Sequence, residues 1–388
     1  MAAQPAGHEK RSTVALVRCV SYELEAVERA LNRGLDLLGG IARFVQPDET
    51  IVLKPNLLLG RDPDRCVTTH PSVFRAAAIA LRAGGARIAY GDSPGFGKPQ
   101  TAAQRAGLTD VARELEIPLA EFSRGRSVAF PEGRQNKRFT IAEGVLDADG
   151  LVSLCKMKTH GLTRITGAIK NQFGCIPGPL KAEFHARLPM ADLFSRMLVD
   201  LNRLLKPRLF VMDGIVAMEG NGPSNGQPRS MNVLLLSDDP VALDATVCRL
   251  IALDPNLVLP IRYGVEAGLG TCDAVDLVGD PIEPFVCRDF IVNRRPRSTT
   301  EEPGRTSRWA RRFIVPKPFV REERCTRCGT CVAVCPVDPK ALTFRGSGRS
   351  APPVHDYARC IRCYCCQELC PEGAIEVATP LLGRWLHR

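Results

Sequence analysis

Two cysteine runs near the C-terminal end constrain this chain more than any other feature. "CTRCGTCVAVCP" places Cys325, Cys328, Cys331 and Cys335 ahead of Pro336, and "CIRCYCCQELCP" places Cys360, Cys363, Cys366 and Cys370 ahead of Pro371. Both read C-x2-C-x2-C-x3-C-P. Three thiolates at this tight spacing wrap one set of irons, and the fourth cysteine reaches across to the other cluster. The spacing therefore predicts two [4Fe–4S] clusters. One takes Cys325, Cys328, Cys331 and Cys370; the other takes Cys360, Cys363, Cys366 and Cys335. Structural zinc is the rival, but it calls for paired C-x2-C motifs, not two four-cysteine runs each closed by proline. Cys365 stands beside Cys366 and reads as a bystander.

The two runs, with their sequels "CPVDPKALTF" and "CPEGAIEV", closely resemble the pseudo-symmetric halves of the bacterial two-cluster ferredoxin domain. The insert "VDPKALTFRGSGRSAPPVHDYAR" is longer than in minimal ferredoxins and is expected to lengthen a surface loop. The resemblance implies one-electron transfer. Clusters relay electrons and do no organic chemistry by default, so it does not name what is reduced.

The remaining sequence is long enough for a core of its own. The chain has 388 residues, 45% of them hydrophobic, and a net charge of +10. A basic balance speaks of partners rather than fold. Much of it is local: residues 288–324 hold eleven Arg or Lys against five Asp or Glu. Nucleic acid is therefore not expected as a partner. An anionic small-molecule substrate and an electron donor or acceptor protein are. The opening "MAAQPAGHEKRSTVALV" lacks an apolar core of a signal peptide. No apolar run reaches the ~18 residues of a membrane span. With sixteen cysteines, the expectation is a cytoplasmic protein whose clustered thiols hold metal.

Short apolar runs alternate with helical patterns over the first part of the chain, the signature of βαβ units. The predicted class is α/β, a mostly parallel sheet flanked by helices, with a small C-terminal α+β iron–sulfur domain. The expected boundaries are a disordered 1–13, an α/β domain over 14–285, a basic linker over 286–320, the ferredoxin-type domain over 321–380 and a tail over 381–388. The linker is expected to pack Trp309, Phe313 and Phe319 on the main domain. Residues 124–140 read as a hairpin excursion, "TAAQRAGLTDVARELE" as one helix, and Asp239 as a helix cap.

"VLKPNLL", "GDSPG", "CKMKTHGLTRITGAIKNQFGCIPG", "DGIVAMEGNGPSNGQPR" and "SDDPVALDATVCRLI" together resemble the family called domain of unknown function 362, whose members often carry an appended ferredoxin module. The resemblance implies no general activity, so the residues have to speak. They cluster just after strand ends, where open parallel sheets bind ligands. No carboxylate lies between Asp149 and Glu183, a stretch rich in lysine. Lys158, His160, Lys170 and Asp213 are the candidate catalytic groups. Lys54, Asn56, Lys156, Asn171, Glu219 and Asn221 are the candidate substrate-binding groups. A helix start near Thr166-Gly167 is expected to add backbone donors for an anion. Asp213 and Glu219 are the candidate counter-charges. Each side chain also has a structural reading, as a snorkelling lysine, a capping histidine or a closed ion pair. "GNGPSNGQP" is glycine-rich but matches no phosphate-binding fingerprint, and Cys155 and Cys175 read as buried fillers.

The functional expectation is an iron–sulfur oxidoreductase. The ferredoxin module relays electrons to or from an anionic substrate, or an additional unidentified cofactor, in a basic pocket of the α/β domain. The alternative is an electron carrier that binds a redox partner without substrate chemistry of its own. A concave pocket near a cluster favours the first.

Overall fold

The computed structural model describes residues 11–296, 315–346 and 348–380. Ten strands build the first part: β1 (Ser12–Arg18), β2 (Thr50–Lys54), β3 (Arg87–Tyr90), β4 (Gly125–Ala129), β5 (Arg138–Ala142), β6 (Gly150–His160), β7 (Arg164–Ile165), β8 (Leu209–Glu219), β9 (Gln227–Ser237) and β10 (Val275–Gly279). The main sheet runs β10-β1-β9-β8-β6-β2-β3, with β7 paired to β6. Along this order neighbours are parallel except at β9, which is antiparallel to both β1 and β8; the short β7 is antiparallel to β6. The reason is local. Residues 220–226 are too few for a crossover, so β8 must turn back on itself.

Continuous apolar runs make these strands because the sheet is covered on both faces. In β1, Val14 and Leu16 enter one core while Ala15 and Val17 enter the other. That is the period-two alternation of a strand with no solvent face. Asp239 caps the helix Pro240–Leu250, accepting from the backbone N–H of Val241 and Ala242. Residues 125–142 form the expected hairpin of β4 and β5. The helix expected over "TAAQRAGLTDVARELE" is two, Pro99–Arg105 and Leu108–Glu114. Gly107, at φ 72°, lies in the left-handed region and breaks it.

The described ends of the segment read as a linker belong to different domains. Phe290 is buried in the α/β core, and Ile291 accepts from the Gly220 N–H and donates its own N–H to the Glu219 carboxylate. At the far end β11 (Lys317–Val320) pairs antiparallel with β14 (Ile375–Ala378). Phe319 therefore belongs to the iron–sulfur domain's sheet rather than to the main domain. Trp309 and Phe313 lie outside the described residues, as does the 381–388 tail and most of the expected disordered N-terminus.

The small domain repeats in backbone as it does in sequence. Arg327 and Gly329 follow Cys325 at the same offsets as Arg362 and Tyr364 follow Cys360, and all four have positive φ. Left-handed backbone at matched positions turns each run around its own centre. Two short helices, Thr330–Ala333 and Cys365–Glu368, follow and pack together. The insert folds into a small hairpin, β12 (Leu342–Thr343) with β13 (Val354–His355).

Candidate functional site

The carboxyl ends of β2, β3 and β6 open on a cavity of about 350 Å³ between the two domains. Asn56 comes from the end of β2, Asp92 and Ser93 from the end of β3, and Lys158 from β6. Thr166, Lys170 and Asn171 come from around the short helix Gly167–Asn171, and Lys181 and His185 from the helix Gly178–Arg187. The iron–sulfur domain closes the other side with Ala333, Val334, Cys365, Glu368 and Leu369.

Lys158 is fully enclosed, its ammonium 2.9 Å from Asn56 Oδ1 and 2.5 Å from the Val67 carbonyl. Burial, reinforced by the Lys170 charge, holds its pKa well below the ordinary ammonium range. Lys181 donates to the carbonyls of Ser93 and Pro94. Burial pushes its pKa down to about 7, against the pull of Asp92. Lys170 stands 3.7 Å from Glu368. His160 accepts from the backbone N–H of Leu162 and Thr163 at Nδ1, so its proton sits on Nε2, 3.5 Å from Glu368. Burial lowers its pKa to about 4, which makes this contact a neutral imidazole facing a carboxylate. For Glu368 burial works the other way, yet Lys170 and His160 outweigh it and keep the carboxyl ionised.

Of the ten sequence candidates in the α/β domain, Lys158, Lys170, Asn56 and Asn171 line this cavity. His160 and Asn221 line a second one of about 420 Å³ on the other side of the Cys365–Glu368 helix. The other four go elsewhere. Lys54 lies beneath the floor, paired with Asp92 at 2.9 Å. Lys156 pairs with Asp213 at 2.8 Å, and both hydrogen-bond to the Tyr22 hydroxyl. Glu219 is spent on the Ile291 N–H, with Arg229 3.9 Å away. Asp213 and Glu219 are thus not the cavity's counter-charges. Burying a lysine demands a partner, and the nearest strands supply one to each. The helix start at Gly167 is also closed. Asp244 accepts from the N–H of Ala168 and Ile169, so those donors do not face the cavity.

Glu368, Lys181, His185 and Thr166 are the lining groups that sequence reasoning missed. Lys181 and His185 stand four apart and share one helix face, a spacing that was readable. Glu368 was not, because only tertiary structure brings it to lysines two hundred residues away.

The glycine-rich loop after β8 has a different task. Ser224 donates to the Glu368 carbonyl, and Asn225 to the carbonyls of Gln367 and Cys370. Gln367 returns bonds to Asn221 and Gly222. The loop holds the iron–sulfur domain in place.

In that domain Cys325, Cys328, Cys331 and Cys370 surround one small void, and Cys335, Cys360, Cys363 and Cys366 surround another. These are the two quartets that the spacing predicts. Sulfurs spread around a void suit a multi-iron cube. Cys365 borders neither void and faces the interdomain cavity. Cys155 and Cys175 are buried fillers, as expected, with thiol pKa values pushed up to about 12 by burial. All sixteen cysteines are free.

Comparison with known proteins agrees with this anatomy. Residues 51–249 match the domain of unknown function DUF362, and residues 324–374 match a 4Fe-4S dicluster domain. Over 258 residues the chain is 37% identical to the thylakoid-associated protein sll1697 of Synechocystis sp., spanning 66% of this chain and 80% of the relative. Among solved structures it is similar to the lactate racemase apoprotein from Thermoanaerobacterium thermosaccharolyticum, with a TM-score of 0.40 and 13% identity. That likeness covers 65% of this chain and 59% of the other, about three-fifths of its length. The chain is a member of the DUF362 family that carries a C-terminal iron–sulfur electron-transfer module.

Proposed function

We propose that this protein is an oxidoreductase in which two [4Fe–4S] clusters pass electrons between a partner protein and an anionic substrate held in the interdomain cavity. Cys325, Cys328, Cys331 and Cys370 hold one cluster; Cys360, Cys363, Cys366 and Cys335 hold the other. One observation carries the reading. The wall facing Lys158, Lys170 and Lys181 is built from Val334, Cys365 and Leu369, each adjacent in sequence to a cluster cysteine. A ligand there sits within a residue's width of the iron ligands and beside Lys158 and Lys181, whose hydrogen-bond partners are all neutral. Lys158 and Lys170 contact the ligand in this reading, and Asn56 and Asn171 orient it. His160 holds Glu368. Lys54, Lys156, Asp213 and Glu219 are scaffold.

The partner's end is the cysteine most open to solvent. Cys328 is exposed, and Arg349 donates to its carbonyl. This supports electron entry from a protein with an acidic face. No described helix is long and apolar enough to cross a membrane. Free thiols and oxygen-sensitive clusters favour the reducing cytoplasm. The thylakoid association in the relative's name suits a protein that works at a membrane surface within that compartment.

The test needs no known substrate. Anaerobic holo-protein is reduced with dithionite and freed of excess reductant. The small-molecule filtrate of the source cells is then added and cluster absorbance followed. Wild-type clusters should reoxidise. Lys158→Met should retain its clusters and fail to reoxidise. Equal reoxidation of both proteins would favour the carrier alternative.

A further inference from the structure

The cavity has two chemically distinct walls. On one, Lys158 and Lys181 each have three N–H donors and spend two of them on neutral oxygens. Among the described residues neither has a carboxylate within ion-pair distance. Lys170 is shared with Glu368, and Asp92 is taken by Lys54. Two further polar atoms on this wall, Thr166 Oγ1 and His185 Nδ1, are buried without any hydrogen-bond partner, and Asp92 Oδ1 has only its ion pair with Lys54. A buried polar atom left unpaired costs about 1–3 kcal/mol, so the first two mark places where a ligand supplies the missing bond. The other wall is apolar: Leu58, Phe96, Phe173, Val334 and Leu369. Phe96 is 51% exposed, an apolar ring held at the mouth.

The volume and the walls exclude the extremes. At a liquid-water volume of about 30 Å³ per molecule, the cavity holds about a dozen waters or an organic molecule of similar heavy-atom count. Inorganic phosphate would leave the apolar wall wet. A phosphate group also seeks more donors than two spare ammonium N–H groups supply. The backbone donors that would complete a phosphate cradle are committed elsewhere, at Gly167 to Asp244 and in the glycine-rich loop to the iron–sulfur domain. An uncharged apolar ligand would leave the spare N–H donor of each lysine unmet in a desolvated site, which is costly.

We propose that the cavity binds an amphipathic carboxylate, its carboxylate on the Lys158 and Lys181 wall and its apolar body against Leu58, Phe96 and Phe173. The assignment rests on the redox reading of the same cavity and narrows its substrate to an organic acid with a ring or short chain. Lys181 and His185 are binding residues in it, with Thr166 as a hydrogen-bond partner.

Isothermal titration of anaerobic holo-protein with 4-phenylbutyrate, its neutral amide 4-phenylbutyramide and inorganic phosphate tests this. 4-Phenylbutyrate should bind saturably, and the amide and phosphate at least tenfold more weakly. Lys181→Met should weaken 4-phenylbutyrate tenfold or more. Because a core lysine variant can misfold, Phe96→Ser serves as the second arm: it lies at the mouth, should keep its clusters, and should also weaken binding. Amide binding as tight as the acid, phosphate binding that Lys181→Met abolishes, or binding by none of the three overturns the carboxylate assignment. None of these results touches cluster reoxidation by the cell filtrate, so the redox reading fails or stands separately.

Discussion

At the scale of single residues, the account turns on lysines that look alike in sequence and differ in role. Lys54 and Lys156 sit in closed pairs with Asp92 and Asp213, whereas Lys158 and Lys181 have only neutral partners. No local pattern separates "VLKPN" from "CKMKTH". The difference lies in which neighbouring strand ends in an aspartate, and so it was not legible. Lys181 carries a pH prediction. It is faced by Lys54, Asp92, Lys170 and Cys175 and by the Ser93 and Pro94 carbonyls, and burial sets its pKa near 7. An anion needs the protonated ammonium, so carboxylate affinity should fall as pH rises through about 7. Titrations one unit either side should differ severalfold, and in Lys181→Met binding should be weaker and the step near pH 7 lost. Gly167 gives a second. Its φ is 60°, and an added Cβ would lie 2.3 Å from Asp244 Oδ1. Gly167→Ala therefore faces a left-handed backbone and a buried carboxylate together. It should lose roughly 2 kcal/mol or more, in the range of strained and overpacked sites, seen as a lowered denaturation midpoint.

At the scale of elements, strands and helices were largely readable, because continuous apolar runs and cap residues are local signals. Gly107 and the β11 strand were not. A glycine inside a good helical pattern is tolerated at a cost of about 1 kcal/mol, so its presence alone does not mark a break. β11 has no periodicity of its own and exists through pairing with β14. The loop after β8 is the instructive case. It is glycine-rich without a phosphate-binding fingerprint, and its polar groups go to the Cys365–Glu368 helix and its surroundings. Gly222 lets the loop lie against β6, since a Cβ there would lie 2.4 Å from the Thr159 carbonyl, while the Gly222 carbonyl accepts from Gln367. Gly222→Ala should loosen the iron–sulfur domain from the α/β domain. Hydrogen exchange reads this directly. Amides of Gln367, Glu368 and β14 should lose protection while those of β1 and β8 keep theirs. Uniform loss would mean that the loop supports the whole fold instead.

At the scale of the whole molecule, the cysteine spacing disclosed both quartets without any structure, because ligation is written in sequence order. Holo-protein should hold ~8 irons with as many labile sulfides. Cys325→Ser should disturb one cluster, and Cys365→Ser should leave iron content unchanged, since Cys365 borders the cavity and not a void. What the sequence concealed is that the pocket belongs to neither domain alone: the lysines come from one and Glu368 from the other. That junction is the central claim, and an EPR-monitored redox titration of wild type against Lys170→Met tests it most directly. Lys170 lies 3.7 Å from Glu368, which stands between Cys366 and Cys370 in sequence. Removing the ammonium takes a positive charge from beside the clusters and makes an added electron less favourable. With both clusters intact, at least one midpoint potential should move to a more negative value. Two unchanged midpoints in a fully loaded Lys170→Met protein would contradict any electrical connection between cavity and clusters.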